Sequence, residues 1–456
     1  MSSNVWIMQD SEYSFFGDKR LDKRMTFILD HMFAKPTASI PQTFGSWAGS
    51  KGAYRFLNSE KVTPELIRKA HYLALHSRLP RNEMILAIQD TTDLDFTAKP
   101  KTKGLGPICA KNNQGLKVHS LMAVSSTGVP LGILHQEVWA RDPKTKGKGE
   151  NCRKRPLDEK ESKKWIIGLE KTEYTIPDTR SVLLIGDRES DMFPFFAAPR
   201  CPNTHILVRA AYDRRVTGER RSLYRTLAAT PVCGSYEVTV RGENGCPARE
   251  ATMSVRYAEV TLTPPNHYKG EYAPVNLTVV EAFEETPPEG VTALHWVLLT
   301  TLALNSFETA CQCLRWYSYR WHIEQYHRTL KSGCGIEELQ LKSAEAIESA
   351  LALYSIVAWR LLWLTYVSRE QPEAPCSLIL EPHEWRALYC REHKVATPPA
   401  KPPSTKEAVH WIAKLGGFLG RRGDGSPGVQ VLWRGIERLN DLAEMWKLLD
   451  FQNTCG

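Results

Sequence analysis

The chain has 456 residues, with 59 Lys and Arg against 51 Asp and Glu and a formal net charge of +8. Apolar residues make up 42% and charged residues 24%, which excludes a disordered chain, a collagen-like fibre and a disulfide miniprotein. At roughly 150 residues per domain the length accommodates about three domains, and the mild basic excess points to an anionic partner without identifying it.

Residues 1–63 read as a small helical module. From Arg20 to Met32 the apolar positions Leu21, Met25, Ile28, Leu29 and Met32 fall on one helical face. The repeated D-K-R of 18–24 places Lys19, Arg20 and Arg24 on the rest of the surface, either as a solvated charged face or as DNA contacts. Near residue 85 the pattern changes. Met84–Ile88 is a short apolar run ending at Gln89-Asp90, and two strand-like runs, 116–124 and 129–138, are joined by Ser-Ser-Thr-Gly as a hairpin. Residues 162–169 are helical. SVLLIG (181–186) is a strand buried on both faces and ends at Asp187, and 204–208 is another strand. Strands mixed with helices predict a central sheet flanked by helices, an α/β class.

Between about 212 and 300, Tyr236, Val238 and Val240, then Met253, Val255 and Tyr257, alternate with polar residues around the turn dipeptide Asn244-Gly245. This predicts an all-β insertion closed by the apolar strand 296–300. Helix is expected from about 306 to Lys331 and again from Ser343 to Val367. The second run is apolar enough to raise the question of a membrane span, but Arg360 near its middle favours a buried helix. Seven prolines between 372 and 403 mark a linker. After it, Leu432, Ile436, Leu439, Leu442, Trp446 and Leu449 give an amphipathic helix. The eleven cysteines, with no C-x-x-C pair, read as reduced thiols. The first residues show no basic segment followed by an apolar run, so a cytoplasmic protein is expected.

Three acids stand out by position: Asp90 after the first core strand, Asp187 after the buried strand, and Glu324 in the helix that follows the β insertion. Converging carboxylates of this kind hold two Mg²⁺ ions about 3.5–4 Å apart for in-line phosphoryl transfer, and Mg²⁺ prefers such hard oxygens. Capping and surface charge are the alternative roles. Tyr317, Arg320, Glu324 and Lys331 fall within about 60° of one another on a regular helix, so one stripe presents an acid, two cations and a phenol. That stripe suits a metal site that also holds phosphates, or an internal Arg320–Glu324 ion pair.

The spacing Y317-x-x-R320-x-x-x-E324-x-x-x-x-x-x-K331, with Asp90 in IQDTT and Asp187 in GDRESD, resembles the IS-four family of bacterial DDE transposases, above all its transposon-five members. GDKRLDKR (17–24), GAYRF (52–56), VHS (118–120), GILHQE (132–137), EKESKKW (159–165), HWVLLT (295–300) and LGGF (415–418) extend the resemblance, in order, over nearly the whole chain. It implies a cut-and-paste transposase with an RNase H-like catalytic core carrying a β-rich insertion and helical N- and C-terminal domains. The expected division is a head (1–63) that binds transposon ends, a core (64–370) with its insertion at about 212–300, and a Pro-rich linker with a helical dimerisation domain (371–456). The resemblance further implies a homodimer acting on double-stranded end and target DNA, hairpin formation and resolution, strand transfer, and a bacterial, nucleoid-associated location. Asp90, Asp187 and Glu324 would hold Mg²⁺, with Mn²⁺ as a substitute, and Tyr317, Arg320 and Lys331 would contact DNA beside the cleaved phosphate.

Four further features attach to that reading. Trp296 precedes Val-Leu-Leu-Thr, much as a family Trp that helps receive a flipped base precedes Leu-Leu-Leu-Thr; a core Trp is the alternative. Arg209 matches a family Arg near the active site, although Ala210–Asp213 intervene before the next cations, Arg214 and Arg215. His327, one turn past Glu324, contacts a flanking phosphate or belongs to a surface pair. The stretch 141–155 carries seven basic and two acidic residues, net +5, and departs from the acidic loop of the relatives. Lys144, Lys146 and Lys148 are expected to bind phosphates there, or the loop is simply solvated. The chain lacks G-x-x-x-x-G-K-[ST], H-E-x-x-H and a zinc cysteine set, so no nucleotide cofactor is expected. A catalytically silent end-binding regulator and an RNase H-like host nuclease are the alternatives.

Overall fold

The computed structural model describes residues 16–108, 113–143, 155–177, 179–240, 249–421 and 424–454. Lys144, Lys146, Lys148 and the Asn244-Gly245 turn lie outside the described residues. In chain order the helices and strands are α1 (Lys19–Ala34), α2 (Ile40–Phe44), α3 (Trp47–Leu57), α4 (Pro64–Arg78), β1 (Ile85–Asp95), β2 (Gly106–Pro107), β3 (Gln114–Val124), β4 (Pro130–Trp139) and α5 (Lys164–Thr175). There follow β5 (Val182–Gly186), α6 (Phe193–Ala197), β6 (Thr204–Arg209), α7 (Leu223–Ala228), β7 (Gly234–Val240), β8 (Arg249–Leu262), β9 (Val275–Phe283) and β10 (His295–Thr300). The rest is helical: α8 (Phe307–Ser318), α9 (Trp321–Arg328), α10 (Ala344–Glu370), α11 (Pro382–His393), α12 (Thr405–Leu415) and α13 (Val429–Thr454).

These elements form two compact units. One takes Met1–Leu79, Thr91–Gly149 and His322–Gly456; the other takes Pro80–Asp90 and Glu150–Trp321. Both therefore draw on separated stretches of sequence, and β1 contributes to each.

In the first unit, the side chain of Asp18 caps α1 by accepting the Arg20 N–H at 2.9 Å. The apolar stripe Met25, Ile28, Leu29, Met32 and Phe33 is buried. β3 and β4 form the expected antiparallel hairpin. α10 is the core of this unit: its most apolar stretch is 89% buried, and the Arg360 guanidinium lies 4.0 Å from the Trp363 ring centroid. Polar bonds fix its neighbours. Ile133 N–H donates to His71 Nε2 at 2.9 Å, and Trp359 Nε1 donates to the Pro130 carbonyl at 3.1 Å. The prolines of 372–403 do not form a bare linker. Pro382 opens α11, where a missing N–H costs nothing, and Trp385 and Leu388 bury its inner face. The apolar face of α13 is split along its length. Leu432, Ile436 and Leu439 are buried, whereas Met445, Leu448 and Leu449 are 57%, 63% and 54% exposed.

In the second unit, β5 lies parallel to both β1 and β6. β10 joins antiparallel to β6, and β9, β8 and β7 follow in antiparallel order. All five residues of β5 are buried, as a strand covered on both faces requires. α5 approaches closely because Gly168 has no side chain: a Cβ there would stand 2.2 Å from Gln89 Oε1. The insertion has the predicted alternation in β7 and β8, but it is not all-β. α7 interrupts it, started by Ser222, whose hydroxyl accepts the Arg225 N–H at 3.2 Å.

Two expected element boundaries change. β1 continues to Asp95, so Asp90 sits within the strand rather than after it. The helix expected over 306–331 is broken: α8 stops at Ser318, α9 begins at Trp321, and a π-helical turn follows at Thr329–Gly333.

α12 and α13 touch backbone to backbone at Gly435. A Cβ there would lie 1.9 Å from the Ile412 carbonyl oxygen. In a free helix Gly435→Ala gains about 1 kcal/mol, whereas overpacking against a backbone that cannot rotate away costs about 1–3 kcal/mol. The variant is expected to melt at a lower temperature; an equal or higher midpoint would show that the two helices separate freely.

Candidate active site

Register places the two strand acids. Ile85–Ile88 of β1 pair in step with Val182–Ile185 of β5, and the same register continued along both chains brings Asp90 level with Asp187. Asp187 then leaves the sheet. Its Oδ1 accepts the Glu189 N–H at 2.9 Å, and its carbonyl accepts the Ser190 hydroxyl at 2.6 Å. Gly186 permits this tight turn, since a Cβ would meet Ser190 Oγ at 2.3 Å.

Cations and aromatics surround the pair within the same unit. Arg320 Nη1 stands 3.7 Å from Asp90 Oδ2, both side chains largely buried. Arg320 lies in the turn that breaks α8 from α9, so its position owes nothing to a continuous stripe. Tyr317 is buried at the end of α8, and burial raises its phenol pKa against the opposing pull of Arg320 and Arg209. Arg209, at the end of β6, is half-buried; burial lowers its pKa, and Tyr317, Arg188 and Arg320 all act on it. Its Nη2 donates to the His295 carbonyl at 3.0 Å. Trp296 packs edge-on to Tyr317, with ring centroids 6.0 Å apart. Asp90, Asp187, Arg209, Trp296, Tyr317 and Arg320 are thus gathered in one place.

Glu324, His327 and Lys331 belong to the first unit. α9 is fixed there from its buried side: Tyr326 OH stands 3.2 Å from Gln136 Nε2, whose amide oxygen accepts the Ser355 hydroxyl at 3.0 Å. His322 Nε2 meets the Gly128 carbonyl at 2.9 Å. Glu324, on the same helix, is half-exposed. Lys331 sits in the π-helical turn, 3.9 Å from Glu337. His327 does not serve as a surface cation. It is 6% exposed, and burial, reinforced by Lys331, lowers its pKa to about 3, so it carries no charge for a phosphate near neutral pH.

In the head, Lys19 and Arg20 are exposed, and Arg20 forms an ion pair with Asp18 at 3.0 Å. Arg24 lies 5.4 Å from the Phe27 centroid and crosses α3 at Gly52, where a Cβ would meet its Nη1 at 2.8 Å. Arg24 therefore braces the two helices.

The donor chemistry suits a hard divalent ion. Asp90 and Asp187 present carboxylate oxygens on adjacent strands, and Arg320 partly neutralises Asp90 at that edge. Among the described residues no group of three or more His, Cys, Asp or Glu side chains gathers to hold a metal, so the second unit supplies two carboxylates. Arg188 and Asp191, which follow Asp187 within the D-R-E-S-D string, are not among the expected site residues; their closeness to it in sequence is the available signal.

Acids level on adjacent parallel strands, within a mixed sheet flanked by helices, define an RNase H-like α/β core. Comparison with known families makes the assignment specific. A transposase DDE domain model matches residues 108–360, more than half of the chain; a transposase DNA-binding model matches 3–62; and a transposase Tn5 dimerisation model matches 356–448. The chain belongs to the DDE transposase family. It is a DNA transposase with DNA-binding, nuclease-type catalytic and dimerisation domains, in a family that is generally dependent on divalent metal. Among solved structures, the piggyBac transposase synaptic complex with hairpin DNA is similar at 13% identity, covering 94% of this chain and 76% of that one, with a TM-score of 0.36.

The neutral His327 has a consequence for acid stability. Its folded pKa, about 3, lies below the ordinary 6.5. The unfolded chain therefore binds the extra proton, and stability falls as pH drops below 6.5. Between pH 7 and pH 5 this one group is expected to contribute a loss of about 2 kcal/mol. His327→Gln removes that contribution and flattens the pH dependence of the denaturant midpoint; an unchanged slope would refute a buried neutral imidazole.

Proposed function

We propose that this chain is a cut-and-paste transposase that binds transposon ends as a dimer, nicks each end, forms and resolves a hairpin, and joins the freed 3′-hydroxyls to target DNA. The observation that carries this is the register of β1 with β5, which brings Asp90 level with Asp187 beneath Arg320, Arg209 and Tyr317. The division of labour follows the chain: residues 1–63 bind the ends, 64–370 cut and join, and 371–456 pair the two copies.

Asp90, Asp187 and Glu324 are the carboxylates that hold divalent metal in this reading, Mg²⁺ with Mn²⁺ as a substitute. The order of the Y-R-E-K motif is what supports Glu324. When bound, the metal polarises the phosphate and lowers the pKa of the attacking water or hydroxyl. Arg320 and Arg209 place fixed positive charge where the phosphate oxygens gather negative charge, and that preorganisation lowers the barrier. The Tyr317 phenol has a raised pKa, so at neutral pH it stays protonated and donates a hydrogen bond. Lys331 contacts the phosphate on the far side of Glu324 in sequence. Trp296 and Tyr317 form an aromatic wall that takes up a base unstacked during hairpin formation, offsetting part of the unstacking cost. In each step water or a 3′-hydroxyl attacks phosphorus, one P–O bond forms as another breaks, and the leaving oxygen departs as a hydroxyl, so ATP is not needed.

Asp90→Ala is expected to abolish Mg²⁺-dependent nicking of a duplex carrying the terminal inverted repeat while end binding persists, and retained cleavage would sink the assignment. Arg320→Ala is expected to slow nicking about 10²–10³-fold. A wild-type chain that binds ends and never cuts them would be a regulator, and one that cuts without strand transfer a host nuclease.

A further inference from the structure

The segment between β6 and β7 carries a cationic surface that the reading above leaves unused. From Tyr212 to Arg225 it holds Arg214, Arg215, Arg220, Arg221 and Arg225 against Asp213 and Glu219. Arg214 is committed to the interior. Its Nε lies 2.5 Å from Asp191 Oδ1, and the other oxygen of that fully buried carboxylate accepts the Ala211 N–H at 2.7 Å. Arg220, Arg221 and Arg225 are exposed. Among the described residues none of these three is paired with a carboxylate. Tyr224 is 41% exposed beside them.

This surface is held in place. Asp213 Oδ2 accepts the Ser222 hydroxyl at 2.7 Å, its Oδ1 accepts the Tyr224 N–H at 3.0 Å, and the Arg214 carbonyl accepts the Leu223 N–H at 2.9 Å. Arg221 has φ 52, the left-handed region that a side chain other than glycine adopts only under outside constraint. The anchor matters most. Asp191 lies in the turn that Asp187 starts, so the buried Asp191–Arg214 pair ties the arginines to the segment carrying a catalytic acid. The effects of Arg188 and Asp191 on the Tyr224 phenol agree with that closeness.

We propose that Arg220, Arg221, Tyr224 and Arg225 form a phosphate-binding ridge for the duplex being cut, the transposon-end substrate, registered to the Asp187 turn by the Asp191–Arg214 pair. Unpaired exposed arginines exchange condensed counterions for contacts along a DNA backbone. A ridge locked to the catalytic turn holds its phosphates at a set offset from the scissile one, which selects the cut duplex over DNA that arrives later. The proposal rests on the transposase reading and adds residues to it.

The test uses the full chain and fluorescence anisotropy of a labelled end duplex across a salt series. The triple variant Arg220→Gln/Arg221→Gln/Arg225→Gln is expected to bind more weakly and to lower the slope of log affinity against log salt by about 2–3, with a melting midpoint like that of the parent. Asp213→Ala, which frees Ser222 and Tyr224, is expected to weaken binding in the same direction. An unchanged slope in the triple variant would overturn the ridge. So would a loss seen with a random duplex and absent with the end duplex, since that assigns the surface to target DNA. Asp90→Ala run in parallel keeps the two ideas apart: continued cutting by that variant refutes the transposase chemistry, while the salt slope still scores the ridge.

Discussion

Two carboxylates stand level on neighbouring parallel strands, and the second unit sets cations beside them. The β1–β5 register determines where Asp90 and Asp187 stand, and Gly186, just before the second acid, leaves room for the turn to fold back with Ser190 against it. Arg320 then supplies charge of the opposite sign at 3.7 Å from Asp90, and Arg209 answers from the end of β6. In a largely buried setting such pairings weigh more than they do in open water.

The first unit meets a different demand. It seats α9 and the π-helical turn that follows it. Buried polar bonds do this: Tyr326 and Ser355 converge on Gln136, and His322 bonds to Gly128. Each of these groups would be costly to leave unpaired in a dry interior, so the network specifies one seating of the helix. Gly333 adds a close approach to Trp433, which a side chain would obstruct.

Much of this was readable in the sequence because local patterns and tertiary structure agree. The buried strand before Asp187, the 116–138 hairpin, the alternation of β7 and β8, and α10 all follow from apolar spacing, as does the place of Asp187 directly after a strand; Asp90 lies inside β1 instead. The misreadings have identifiable physical causes. The helix expected to run on to Lys331 breaks because Tyr319 and Arg320 form a turn whose N–H groups reach back to Trp316 and Tyr317, a bonding choice that periodicity does not encode. The prolines after 371 looked like a linker because Pro both ends helices and opens them, and only packing of Trp385 and Leu388 reveals the second use. His327 looked available because helical spacing predicts a face and not what covers it. The Asp191–Arg214 pair stayed invisible because its partners are far apart in sequence and meet only once β5 and β6 are aligned.

The apolar character of α10 has a consequence for biosynthesis. Ala344–Glu370 is long and oily enough to be attractive to a lipid bilayer or to a chaperone. Its hydrogen-bond partners Pro130 and Gln136, and His71 whose ring packs on Trp359, all leave the ribosome earlier. Domains tend to fold from the N-terminal side as synthesis proceeds, so the side of the slot built by α4 and β4 is synthesised before α10 itself, while α12 and α13 complete it afterwards. Vectorial translation thereby shortens the time during which this apolar stretch is exposed, a safeguard that refolding from denaturant would not reproduce.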